Sequence, residues 1–173
     1  MNRRNILSLS AITALGLALL PNSSALAQTK SIKDQLVGTW ALVSWEQANK
    51  DGSKQQDFGP NPKGVASFDA NGRLFVMFAR PDLPKIASTD RMKVTPQEAQ
   101  AINLGSIAYF GTYTVDEPSK TLLFKIESST YPNQLGTEAK RIISSLTADE
   151  LKYTNTTPLG AGSSITTAFK RAK

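Results

Sequence analysis

No histidine and no cysteine occurs anywhere in the 173 residues. The missing cysteines exclude disulfides, thiol nucleophiles, thiolate metal sites and a lipoprotein anchor. The missing histidines exclude imidazole ligands, a Ser-His-Asp arrangement and a side chain that ordinarily titrates near neutral pH. Any acid–base chemistry therefore falls to Tyr, Glu, Asp or Lys, and no two of these sit at an informative spacing. No catalytic residue, metal or cofactor is expected. There is also no alternation of strand and helix, which disfavours a parallel sheet, and no internal repeat or low-complexity segment. Net charge is +6, yet the basic residues are mostly scattered singly, the densest run being Lys170-Arg171-Ala172-Lys173. With no basic stripe and no interleaved aromatics, nucleic acid is not an expected partner.

What is present begins with a three-part leader. Arg3 and Arg4 precede an apolar run from Ile6 to Leu20, and Pro21 to Ser24 breaks it ahead of Ala25-Leu26-Ala27. The run is shorter than the about 20 residues that a spanning helix needs. Residues 1–27 therefore read as a signal peptide cut after Ala27, which predicts a periplasmic or secreted protein with no stable membrane anchor after processing. Loss of Arg3 and Arg4 leaves 18 basic against 14 acidic residues, a net charge of +4. The Arg3-Arg4 pair also fits a twin-arginine leader, so the export route is open between that and the general secretory one.

Residues 28–35 read as a short tether or a helical turn, and 36–173 as one domain. From Leu36 the apolar period is two, with Leu36, Gly38, Trp40, Leu42, Ser44 and Glu46 on one face and Trp45 on the other. Trp40 needs a large apolar cover, which only later strands can supply, so it is expected to plug one end of a small barrel. Two prolines and two glycines make 57–64 a rigid loop. Asn71-Gly72 then joins two β-rich runs, 65–69 and 73–80. After a charged loop over 80–94, Thr95-Pro96-Gln97-Glu98 has the chemistry of a capped helix start, with Gly105 as its stop. Strands follow over 108–116, 121–131, 139–147, 151–155 and 163–171, the last two joined by a glycine-rich loop. The total is about eight, at the spacing of an all-β antiparallel barrel or sandwich with one short helix inserted mid-chain.

The blocks Leu36-Val37-Gly38-Thr39-Trp40, 58–64, 69–73, 95–99, 109–113, Pro132-Asn133 with Gly136-Thr137, and Arg141 occur in the order of one family. On these residues the segment from Leu36 to Arg171 resembles the bacterial and fungal lipocalin-like domain family, and Gly38-Thr39-Trp40 resembles the Gly-x-Trp signature of lipocalins. The resemblance implies a single antiparallel lipocalin-like β-barrel whose cavity holds a small hydrophobic or amphipathic molecule. It also implies structural roles for Gly38, Trp40 and Arg171, with the late arginine packed across the signature tryptophan. Two departures stand out. Members often carry neighbouring histidines where this chain has Phe124 and Lys125, and an aromatic residue where it has Gln134, so the pocket here is expected to be more apolar.

The inward face is read as Tyr109, Gly111, Tyr113 and Val115, then Leu122, Phe124, Ile126 and Ser128, with Arg141, Ile143, Ser145, Leu151, Tyr153, Ile165, Thr167 and Phe169 on later strands. Tyr109, Tyr113, Phe124 and Tyr153 are the candidate ligand contacts, joined by Arg141. A guanidinium inside a small barrel is costly unless paired or hydrogen-bonded. Arg141 is either an anchor for a ligand's carboxylate or enol oxygen, or half of an internal ion pair with Glu46 or Glu127, or it points outward. Two functions fit these residues. One is a binding protein for a small hydrophobic or amphipathic ligand; the other is a cofactor-free isomerase, cyclase or dehydratase acting in the same cavity. Oligomeric state has no signature in the sequence.

Overall fold

A computed structural model describes residues 30–156 and 162–173. The leader and residues 157–161 of the glycine-rich loop lie outside them. Helix α1 (Ile32–Leu36) leads into β1 (Gly38–Asn49), β2 (Lys54–Gln55), β3 (Lys63–Phe68) and β4 (Arg73–Ala79). Helix α2 (Pro96–Gly105) follows, then β5 (Ser106–Asp116), β6 (Thr121–Ser129), β7 (Glu138–Leu146), β8 (Glu150–Asn155) and β9 (Gly162–Arg171). Each strand pairs antiparallel with its neighbour in the order β1-β3-β4-β5-β6-β7-β8-β9, and β9 pairs back onto β1. Eight strands thus close into a barrel, which removes the open edges that a flat sheet would leave. The two-residue β2 folds back on β1 outside this ring.

Local chemistry accounts for the elements. Gly72 donates to Asp69 O at 3.2 Å, closing the β3–β4 hairpin where Asn71-Gly72 predicted a turn. Helix α2 has the full capping box: Glu98 N donates to Thr95 Oγ1 and Thr95 N donates to Glu98 Oε2 at 2.9 Å, with Pro96 in the first turn. Helix α1 is capped by Ser31 and tied under the barrel by Glu117, whose carboxylate accepts from Ile32 N at 2.9 Å and Lys33 N at 3.2 Å.

One end of the barrel is solid. Trp40 is fully buried there, and its indole Nε1 donates to Leu36 O at 2.8 Å. Arg171 lies over the ring at 4.1 Å and donates to Val37 O at 3.0 Å and Gln35 O at 2.6 Å. Gly38 has φ +128, and a Cβ there would meet Arg171 Nη1 at 2.9 Å. Glycine is required at this position both by the backbone angle and by the arginine crossing it. Phe68, Leu122, Phe124, Leu151 and Phe169 fill the space above the plug.

Two expectations are corrected. Leu36 ends a helix rather than opening a strand, because Trp40 Nε1 and Arg171 hold the carbonyls of the α1 turn. The β1 alternation also breaks: the register against β9 shifts between Leu42 and Ser44, leaving Val43 exposed. A bulge adds one residue to one strand and turns everything beyond it to the other face. Trp45 and Gln47 therefore face inward instead of Ser44 and Glu46.

Candidate functional site

The opposite end of the barrel is hollow. A cavity of about 560 Å³ lies between the end of β1, the 57–58 loop, the end of β4 and the starts of β5, β7 and β9. That volume suits a drug-sized organic molecule. Helix α2 reaches its mouth with Asn103 and Leu104, and the turn after β6 contributes Tyr131 and Gln134.

One wall is aromatic. Phe58, buried within the loop that follows β2, stands edge-on to Trp45 at 5.2 Å and to Phe78 at 6.0 Å between ring centroids. Sequence reading placed Phe58 only in a rigid loop. Its side chain enters the barrel through tertiary contact, and a residue in an irregular segment carries no periodicity to announce that. Such edge-to-face contacts hold the rings in fixed positions.

The floor is polar. Arg141 on β7 is 8% exposed and sits directly opposite Asn155 on β8, which is equally buried. Its Nη1 donates to Lys140 O at 3.1 Å, and its guanidinium lies 5.2 Å from the centre of the Phe124 ring. The internal ion pairs considered for it do not form: Glu46 pairs with Lys54 at 2.9 Å and Glu127 with Arg73 at 2.6 Å. Among the described residues no carboxylate forms an ion pair with Arg141. Nor does the side chain point outward.

Tyr109 on β5 and Tyr153 on β8 flank it. Burial pushes both phenols above their ordinary range, and the Arg141 guanidinium beside each oxygen offsets only part of that. Both are neutral hydroxyls at physiological pH. Neither can act as the counter-ion of the arginine.

Of the candidate contacts, the structure brings Arg141, Tyr109 and Tyr153 together in the cavity lining. Tyr113 and Phe124 face the barrel interior but lie below the cavity. Tyr113 donates its hydroxyl to Asp69 O at 2.7 Å, and Phe124 packs between Phe68, Tyr153 and Arg141. Neither is among the residues lining the cavity. Alternation tells which face a residue occupies and nothing about its depth along the strand. Trp45, Phe58 and Asn155 are lining residues that the sequence reading missed. Only Asn155 carried a usable signal, as the inward neighbour of Tyr153 at a spacing of two.

Residues 37–172 match the family model described as a lipocalin-like domain. No curated protein sequence matches the chain. Solved structures overlay loosely. One is a redesigned β-barrel at 19% identity, covering 83% of this chain and 100% of that one with a TM-score of 0.43. Another is a redesigned β-barrel, mFAP1, bound to DFHBI, at 21% identity, covering 82% of this chain and 100% of that one with a TM-score of 0.40.

Proposed function

Since the chain belongs to the lipocalin-like domain family, we propose that it is an exported binding protein that holds a small amphipathic molecule in the open half of its barrel. The observation that carries this is the contrast between the two ends. One is packed solid around Trp40, while the other keeps about 560 Å³ walled by Trp45, Phe58 and Phe78 and floored by Arg141. A cavity left merely by poor packing would cost stability, and nothing in a structural role calls for a buried cation at its base. An apolar tail against the aromatic wall displaces water, and an acidic head reaches Arg141.

The test is displacement of a fluorescent fatty-acid probe by an acid and by the alcohol of equal chain length. A charge-assisted hydrogen bond contributes about 1.5–3 kcal/mol, so the acid is expected to bind about tenfold to a hundredfold more tightly. Arg141→Met removes that preference and leaves alcohol binding nearly unchanged. Absence of binding by every apolar probe would overturn the reading.

Export rests on residues 1–27, whose pattern supports a periplasmic or secreted location. A second reading, a cofactor-free isomerase, cyclase or dehydratase, draws on Asp57 and Glu138, the two carboxylates in the cavity lining. Its mark would be chemical change of a bound metabolite that is lost in the Glu138→Gln and Asp57→Asn variants while binding persists.

A further inference from the structure

Three of the polar groups on the floor, Arg141, Tyr109 and Tyr153, come from three different strands and differ in what they donate. Arg141 presents N–H groups and a permanent charge, whereas Tyr109 and Tyr153 each present one phenolic O–H. All three line the same cavity, and among the described residues no carboxylate forms an ion pair with the guanidinium. Burial raises both phenols above their ordinary range, so each keeps the hydrogen that it would donate. Nearly all of each side chain is buried, with Arg141 at 8%, Tyr109 at 6% and Tyr153 at 2% exposure. Buried donors gathered in one cavity face little competition from solvent, the condition under which hydrogen bonds to a negative oxygen are strongest.

We propose that Tyr109, Arg141 and Tyr153 form an oxyanion-binding floor that selects the ionised oxygen of a weakly acidic organic ligand, an enolate or phenolate as readily as a carboxylate. This rests on the binding-protein reading and narrows it to a chemical class. On binding, an enol or phenol loses its O–H proton to solvent, and the electron pair left on oxygen is held by the guanidinium and the two phenol hydrogens. The ligand enters head first, with its tail toward Leu104 and Tyr131 at the mouth. The space accommodates roughly twenty non-hydrogen atoms at protein-like packing.

Other titratable groups around the cavity do not cancel this preference. Asp57 belongs to the loop carrying Phe58, Glu138 is exposed at the start of β7, and Tyr131 sits in the turn after β6. Asp57 accepts a hydrogen bond from Gln55, and neither carboxylate forms an ion pair with Arg141.

The experiment uses an alkyl-substituted para-nitrophenol, which is coloured only when ionised, and its methyl ether, which cannot ionise. Binding of both is measured by displacement of a fluorescent fatty-acid probe, and the phenol is then titrated by absorbance while bound. The bound phenol is expected to ionise at least about one pH unit lower than in buffer, a tenfold preference for the anion. Arg141→Met should abolish the shift with ether binding retained. Tyr109→Phe and Tyr153→Phe should each reduce it, and Arg141→Lys should restore part of it. A bound phenol on the unmutated protein that ionises at its buffer value or higher, with the ether still bound, overturns the proposal and leaves the binding-protein reading standing. Failure of both probes to bind removes the two together.

Discussion

Replacing Trp40 tests how the closed end is held. The ring is fully buried, so Trp40→Ala deletes a large side chain that the surrounding barrel cannot collapse onto. Loss of a buried aromatic costs about 3–5 kcal/mol, a large part of the about 5–15 kcal/mol that domains possess. With a urea slope of about 1–3 kcal/mol/M, the midpoint should fall by roughly 2 M. The contribution of Arg171 separates in a double-mutant cycle built on Trp40→Leu, which keeps an apolar plug but has no π face. Arg171 stands 4.1 Å above the indole and is only partly exposed, where a cation–π contact contributes about 1–2 kcal/mol. Arg171→Ala should therefore cost about 1–2 kcal/mol more beside Trp40 than beside Leu at that position. Its bonds to the carbonyls of Gln35 and Val37 are lost in both backgrounds and cancel. Additivity to within about 0.5 kcal/mol would refute the stacking argument.

Three further outcomes are expected. Gly38→Ala should destabilise the barrel by about 1–3 kcal/mol in urea unfolding, since alanine is strained at φ +128 and its Cβ would press on Arg171 Nη1. Glu98 has its pKa lowered below 4.5, first by the hydrogen bond it accepts from the Ala87 amide and then by those from Thr95. A depressed carboxylate contributes stability that is present above the unfolded pKa and lost as pH falls through the folded one. The Ala87 amide resonance should accordingly titrate with a midpoint below 4.5, and a midpoint at or above that value would contradict the bond. Exported protein should begin at Gln28 by intact mass, and a membrane-retained species that keeps residues 1–27 would contradict the leader reading.

Much of the barrel was legible because its signals are local. Asn71-Gly72 and the Thr95–Glu98 box each specify backbone geometry within four residues, and both stand where they were read. Alternation on β5 to β9 identified most of the inward face, because its outward positions are mostly polar, but register shifts after Phe110 and Ile143 turn Ser128 and Ser145 away from it. On β1 both faces are apolar, so nothing local marked the bulge after Leu42 that turns Trp45 into the cavity. The same limit applies to the site. Arg141, Tyr109 and Tyr153 were recognisable as inward residues, but their convergence depends on how three strands stagger around the ring. Tyr113 and Phe124 looked equivalent to them and lie in the packed half, since depth in a barrel follows from register and not from sequence spacing.

A ligand of this barrel should sit in the open half, between the aromatic wall and Arg141. An NMR structure of the protein with carbon-13-labelled decanoic acid would test this through contacts between the labelled chain and assigned side chains. Contacts are expected from the methylenes to Trp45, Phe58, Phe78 and Tyr131, together with a carboxyl carbon shift that disappears in Arg141→Met. The outer wall offers a competing surface, where Phe75, Met77 and Phe110 are each more than two-fifths exposed on adjacent strands. Contacts confined to those three residues, with Trp45 and Phe58 untouched, would contradict the claim that the cavity is the binding site.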